Sequence, residues 1–346
     1  STGAKHLKML IKVPLKATLF GEHAVVYGKP AIAFTLPLHI LVEAMDVHEQ
    51  KIVVEFNNVL LPIRKIEFNR EDNLFSKTEV DNDVAKRFVS YIATAIGLCE
   101  DEVKPGRRRG FIMYLKSPVP TGVGLGTSAA VSVATTTLCL STYLSTTEIE
   151  KSLIAKLSWR TEQIVQGVAS PMDTYTITFG GIRYIDPATP KAEPLPTPTK
   201  MNLIVGYTPK KSTTAVLVSN VKKLLKSSIS ASKIVDAIGS IVEEARSSIL
   251  QGDAERIGIL MNLNHGLLDS LGVVSLEHHT IVNTLRGAGA LGAKTSGAGG
   301  GGAFIALARD EEHANILKRV AEALGATIVA TGIESTGVEV VEKGEM

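Results

Sequence analysis

The chain has almost no material for a disulfide framework or a cysteine-based metal site. Its 346 residues include two cysteines, Cys99 and Cys139, both in apolar surroundings and without ligand spacing. So little cysteine in a chain of this length fits a reducing cytoplasm. Charge of one sign is lacking too. The 37 Lys and Arg against 35 Asp and Glu leave a formal net charge of +2, which argues against a dedicated nucleic-acid binder. No stretch approaches the roughly 18 apolar residues needed to span a bilayer, and the first twenty residues hold lysines but no apolar signal core. The reading is a soluble, unexported, cytoplasmic chain with no membrane partner. An in-register Met9 opens the first strand pattern, so Ser1 to Lys8 read as an addition ahead of the native start. No internal repeat is present, and the adjacent His278 and His279 point apart on a helix, which excludes an i, i+4 metal pair. What remains is a chain 45% hydrophobic and 21% charged, enough to bury a sizeable core in about two domains.

The stretch Ser117 to Ala130, SPVPTGVGLGTSAA, stands out. Gly122, Gly124 and Gly126 alternate with small apolar residues and run into a helical pattern at Thr127 and Ser128. Glycines that turn at positive φ bring backbone N–H groups close to an anion. A helix starting there adds free N–H donors and the positive end of its dipole. The combination is a phosphate cradle. It is not a Walker A loop, because no lysine follows the glycines. The phosphate charge must then be met by backbone, hydroxyls and a metal.

Upstream, Met9 to Phe20 reads as strand, bend at Pro14 and second short strand, which delivers Lys16 to the segment GEHAVVYG. Alone, Glu22 and His23 there would be a solvated turn. Ala31 to Pro62 alternates as an antiparallel β segment, and Asp81 to Leu98 has the apolar spacing of an amphipathic helix. Lys104 to Arg109 reads as a solvated basic run. Gly110 to Lys116 is a strand leading into the glycine loop. A helix from Thr147 to about Gly167 starts with a capping box, Thr147 and Glu150. Its core face is Ile149, Leu153, Leu157 and Ile164. Glu162 lies about 140° around from Leu157, off that face, which points it at solvent or a cleft. Gly167 to Asp173 is a turn by composition, and a strand pair including Gly180 to Ile185 follows.

The proline-rich run Asp186 to Lys200 marks a domain boundary or stiff connection, with residues 1–190 before it and 200–346 after. Beyond it come a strand at Met201 to Tyr207, three or more helices from Ser212 to about Gly272, and a helix from Ser275 to Arg286. GAGALG at Gly287 to Gly292 matches GxGxxG by letter, but a helix precedes it where the dinucleotide fingerprint needs a strand. A nicotinamide oxidoreductase is therefore the weakest reading. A second glycine cluster, Ser296 to Gly302, leads into the strand Ala303 to Ala308. A helix from Asp310 to Leu324 and two terminal strands through Val341 close the chain.

Three segments in order, KVPLKATLFGEHAVVYG, SPVPTGVGLGTSAA and KTSGAGGGGAFIAL, resemble the three motifs of the GHMP kinase superfamily and extend over nearly the full length. The resemblance implies a two-domain α+β fold, with an N-terminal half like domain 2 of ribosomal protein S5, a C-terminal ferredoxin-like α/β half, and an active site between them. It implies ATP as co-substrate and Mg²⁺ as cofactor. GEHAVVYG with the SPMD turn looks like the members that phosphorylate the 5-hydroxyl of mevalonate in isoprenoid biosynthesis. Phosphomevalonate or another small alcohol is the alternative acceptor, and a non-catalytic sensor of the same fold is the remaining one.

By the same resemblance Asp173 matches the catalytic base and Lys16 the catalytic lysine, while Glu22 and His23 match the substrate side. Ser128 and Glu162 match the metal ligands. Pro120, Gly122, Val123, Gly124, Leu125, Gly126, Thr127, Ser128 and Ala129 match the loop around the ATP phosphates, and Ser296, Gly297, Ala298, Gly299 and Gly300 match the third-motif loop. The oligomeric state is left open by the sequence, with a homodimer as one alternative. Two departures touch the site: Pro14-Leu15 precedes Lys16 where many relatives have proline-glycine, and ASPMD replaces the commoner sequence around the aspartate.

Overall fold

The computed structural model describes residues 7–57, 64–69 and 83–345. The ends of three sequence expectations, at Ser1, Pro62 and Asp81, lie outside them. The chain runs β1 (Leu7–Phe20), a 3-10 turn at Ala24–Tyr27, β2 (Ala31–Val47), β3 (Lys51–Phe56), β4 (Lys65–Asn69), α1 (Asp83–Asp101) and β5 (Gly110–Lys116). It continues through α2 (Thr127–Leu144), α3 (Lys151–Gln166), α4 (Met172–Phe179), β6 (Ile182–Asp186) and β7 (Lys191–Pro194). Next come β8 (Asn202–Thr208), α5 (Thr214–Ser227), α6 (Ile229–Gln251), α7 (Ala254–Ser270) and α8 (Leu276–Gly287). β9 (Gly292–Thr295), β10 (Gly302–Ala308), α9 (Glu311–Ala323), β11 (Thr327–Thr331) and β12 (Glu339–Glu345) complete it.

Among the described residues the strands form two sheets. The larger has the order β12-β1-β2-β5-β3-β4, with β6 paired to β2 and β7 paired to β6; the smaller has the order β11-β8-β10-β9. The last strand, β12, crosses back and pairs antiparallel with β1, from Lys12 opposite Glu339 to Leu7 opposite Glu345. The first and the last described strands therefore belong to the larger sheet. β2 pairs antiparallel with β1 and β5, but β3 runs parallel to β5, so the β segment is not antiparallel throughout. The proline-rich run holds the short edge strand β7, whose Pro194 is the partner of Arg183 on β6.

Pro14 does not break β1. The strand is continuous, and the missing N–H is absorbed by a register shift in which Pro14 faces His39 and Lys16 faces Thr35. Two extra residues on β2 twist β1 at this point, as bulges do, and Lys16 emerges beyond the twist. β12 pairs with β1 only as far as Lys12. The edge of β1 past that residue is free to bind loops, and the candidate site is assembled there.

α2 is apolar or small on every side and is buried along nearly its whole length, from Ala129 through Leu138 to Tyr143. A helix of this kind needs other elements all around it. α1, α3, α4 and the sheet supply them. The main core joins Leu15, Leu19, Phe34 and Phe111 of the sheet to Val131 and Leu138 of α2, each buried apolar side chain contributing about 1.5–3 kcal/mol. Among the described residues no helix is long and apolar enough to cross a membrane.

α3 differs from its sequence reading in two ways. It begins at Lys151 with Glu150 as N-cap and no side-chain cap bond. The capping box is not formed; Thr146 Oγ1 accepts from Glu148 N just before the helix. Ile164, expected in the core, is 48% exposed, while Glu162 is only 4% exposed. α3 packs on α1, α2 and α4, so a residue off the main apolar stripe is still enclosed.

Candidate active site

Three loops meet on the free edge of β1. Lys16 N donates to Leu125 O at 3.1 Å, joining the first glycine loop to the strand. Thr18 N donates to Ser296 Oγ at 2.9 Å, and Ser296 Oγ donates back to Thr18 O at 2.8 Å, joining the third-motif loop a residue pair further on. The first glycine loop packs so closely on β1 and α4 that glycine is required at its end. Gly126 has φ +76°, and a Cβ there would lie 3.1 Å from Lys16 Cγ and 3.2 Å from Ile177 Cδ1. Gly126 is also the N-cap of α2 and offers no side-chain cap. The helix N-terminus with its unpaired N–H groups is left facing the cleft, as a phosphate cradle requires.

Lys16 and Asp173 come together at the mouth of this cradle. Lys16 Nζ lies 2.6 Å from Asp173 Oδ1 and donates to Thr18 Oγ1 at 2.9 Å. Asp173 occupies the first turn of α4, not an open turn, and a short helix fixes its direction. The pair is open on one side: the Asp173 side chain is 30% exposed against 4% for Lys16.

Glu162 sits behind that pair. Burial and the neighbouring Asp173 carboxylate push its pKa up to about 8, partly offset by Lys16, the Ser128 hydroxyl and the Gln166 amide. Gln166 Nε2 donates to Glu162 Oε2 at 3.4 Å, while Glu162 Oε1 is buried without a hydrogen-bond partner. A buried carboxylate with an orphan oxygen demands a proton or a cation. Ser128, in the first turn of α2, faces the same carboxylate. Among the described residues no group of three or more His, Cys, Asp or Glu could hold a metal by itself.

Glu22 and His23 are placed differently from each other. His23 adopts φ 63°, a left-handed conformation uncommon outside glycine. Its Nε2–H donates to Ala298 O at 2.8 Å, and burial lowers its pKa below the usual histidine value. The neutral ring clamps the first motif to the third. Glu22 turns inward and forms an ion pair with Lys294, the two side chains being 1% and 0% exposed. Burial lowers the Lys294 pKa, and the Glu22 carboxylate opposes that shift.

Several organising residues were not among the expected site residues. Lys294 Nζ also donates to Thr295 O at 2.8 Å. His278 is fully buried at the root of the third-motif loop. Its Nε2–H donates to Gly302 O at 3.0 Å, and its Nδ1 accepts from Thr295 Oγ1 at 2.9 Å, so one ring ties both ends of the loop. His265 Nδ1 accepts from Thr295 N, and Asn264 Oδ1 accepts from Gly21 N. His279 is at the surface, paired with Asp269 at 2.8 Å. The one sequence signal was Lys294 itself, a lysine in a strand that is otherwise small and apolar. It could be there only with a buried anion.

A strand-edge cradle between two glycine loops, with a lysine–aspartate pair at its mouth, is the equipment of a small-molecule kinase that uses no Walker lysine. The family comparisons agree. Residues 86–181 match the GHMP kinases N terminal domain and residues 245–327 match GHMP kinases C terminal. The chain belongs to the GHMP kinase family and is an ATP-dependent small-molecule kinase.

Within the family it is similar to mevalonate kinases. That of Pyrococcus furiosus is 37% identical, over 97% of this chain and 99% of the relative. That of Pyrococcus horikoshii is 39% identical, over 90% and 92%. The crystal structure of the Methanococcus jannaschii mevalonate kinase superposes with a TM-score of 0.78 at 29% identity, covering 96% of this chain and all of that one.

Proposed function

We propose that this chain transfers the terminal phosphoryl group of ATP to the primary hydroxyl of mevalonate, giving 5-phosphomevalonate. The observation that carries the proposal is the Lys16–Asp173 pair, 2.6 Å apart and open on one side, beside a helix N-terminus that faces the cleft. Mevalonate kinases similar over almost the whole chain support the choice of acceptor.

In this reading Gly122 to Gly126 and the first turn of α2 bind the phosphates through backbone N–H groups. The acceptor hydroxyl approaches the exposed side of Asp173, which orients it and takes its proton as the new O–P bond forms. Lys16 is held by Thr18 and Asp173, and its charge favours the developing alkoxide and the transferring phosphoryl group. Gly297 to Gly300 shape the acceptor side, with His23 anchoring that loop. Glu22 contributes there through Lys294, by fixing the loop from behind.

The orphan Oε1 of Glu162, the Ser128 hydroxyl and the raised Glu162 pKa fit a Mg²⁺ ion. Such an ion is commonly held by one or two carboxylates and the phosphates of the nucleotide. When bound it would neutralise phosphate charge, and Ser128 and Glu162 are the residues that would hold it.

A coupled assay of ADP release with Mg-ATP tests the function on a panel of mevalonate, 5-phosphomevalonate, homoserine and galactose. Turnover with mevalonate alone is expected. Turnover with 5-phosphomevalonate instead would reassign the acceptor pocket, and silence on the whole panel would reject the reading.

A further inference from the structure

Lys210 lies in the connection from β8 to α5, outside all three motifs, yet it reaches the cleft they form. Its neighbour Lys211 donates its N–H to Gly300 O at 2.9 Å, which lays the connection along the third-motif loop. The Lys210 stem enters the seam between the two glycine loops. A Cβ on Gly302 would lie 3.6 Å from Lys210 Cδ and 2.9 Å from Val123 O of the phosphate-type loop. Lys210 Nζ donates to Thr214 Oγ1 at 2.7 Å, in the first turn of α5.

That ammonium is in an unfavourable place for a cation. It is half-buried, and burial followed by the charge of Lys16 lowers its pKa to about 8. Its own charge depresses His23 in turn. It stands at the N-terminal end of a helix, where the dipole favours anions. Lys211 has a carboxylate partner, Glu277, at 3.1 Å. Among the described residues no carboxylate forms an ion pair with Lys210, whereas Lys16 is paired with Asp173. Lys210 thus adds to the cleft a cation that no carboxylate among the described residues pairs with.

We propose that Lys210 is an anion-binding residue of the active cleft, whose ammonium contacts an anionic oxygen of a bound substrate. This rests on the kinase reading above, in which both substrates carry such oxygens: the carboxylate of a hydroxy-acid acceptor and the phosphates of the nucleotide. A charged hydrogen bond of this kind contributes enough that its loss weakens binding about tenfold or more.

The test is titration calorimetry on the full chain and its Lys210→Met and Lys210→Arg variants with three probes, each alone: mevalonate, Mg-ADP and a non-hydrolysable Mg-ATP analogue. Lys211→Met serves as a control for general loss of surface charge. The expected result is about tenfold weaker binding of at least one probe by Lys210→Met, largely restored in Lys210→Arg and absent in Lys211→Met, with unfolding midpoints unchanged. Weakening for mevalonate alone assigns the contact to the acceptor carboxylate. Weakening for the ATP analogue but not ADP assigns it to the terminal phosphate, and equal weakening of both nucleotides to the inner phosphates. If the parent chain binds the probes and Lys210→Met binds all of them equally well, Lys210 is not an anion site. If the parent chain binds none, the kinase reading fails and takes this proposal with it.

Discussion

Two lysine–carboxylate pairs lie in one cleft and differ in what surrounds them. Lys294 and Glu22 are enclosed, with side chains 0% and 1% exposed, whereas Asp173 of the Lys16–Asp173 pair keeps 30% of its side chain open. An enclosed pair cannot reach a substrate, so its charges can only hold protein to protein. It binds the segment after β1 to β9, and so sets one motif against another. An open pair has an unused face, and a reacting hydroxyl can occupy it. The same two chemical groups thus serve as a fastening in one place and as proposed reactants in the other, and solvent access decides which.

Breaking the enclosed pair sharpens that contrast most. Lys294→Met strands the Glu22 charge in the interior and should cost about 3–5 kcal/mol of stability, read as a lower urea midpoint. Adding Glu22→Leu should recover much of the loss. A double variant no more stable than Lys294→Met alone would show that the pair is not the fastening.

The next effect comes from acid. Burial lowers the His278 pKa to about 4 and the His265 pKa to about 3, both below the ordinary value near 6.5. The unfolded chain therefore takes up protons that the folded chain refuses. The contribution of these two histidines is intact above about pH 6.5 and falls as the pH drops toward 4. The loss is about 1.4 kcal/mol for each pH unit crossed, or roughly 3 kcal/mol for His278. The gap between the urea midpoints at pH 7 and pH 4.5 should narrow by about half in His278→Gln, because glutamine does not titrate while His265 still does. An equal acid loss in that variant would assign the effect to other groups.

The smallest predicted effect concerns a helix end in the second half. Thr213 caps α5 by accepting from Val216 N at 3.3 Å. Thr213→Ala should cost about 1 kcal/mol and leave turnover within about twofold. A larger fall in turnover would mean that the start of α5, where Lys210 is tethered, carries more of the site than its packing implies.

Much of this arrangement is legible in the residues. Glycine spacing before Thr127 and after Lys294 marks both loops, because positive φ and close approach have few other sources. Periodicity locates α1 and the helices from α5 to α9. What escapes is set by contacts between distant segments. Helical spacing puts Glu162 off the apolar stripe of α3, but the stripe says nothing about α4 packing on α3 as well. Pro14 suggests a break, and only the pairing of β1 with β2 can show a bulge in its place. His278 and Lys210 act through carbonyls and loops far away in sequence, a relation that no local pattern encodes.

The contrast between the open and the enclosed pair is tested most directly by single-turnover phosphoryl transfer in Asp173→Asn, with Mg-ATP and mevalonate bound beforehand. The expected result is a rate at least ~10² slower than the parent chain, with ATP affinity and unfolding midpoint essentially unchanged. A rate equal to that of the parent would remove Asp173 from the chemistry and leave the open pair as one more fastening.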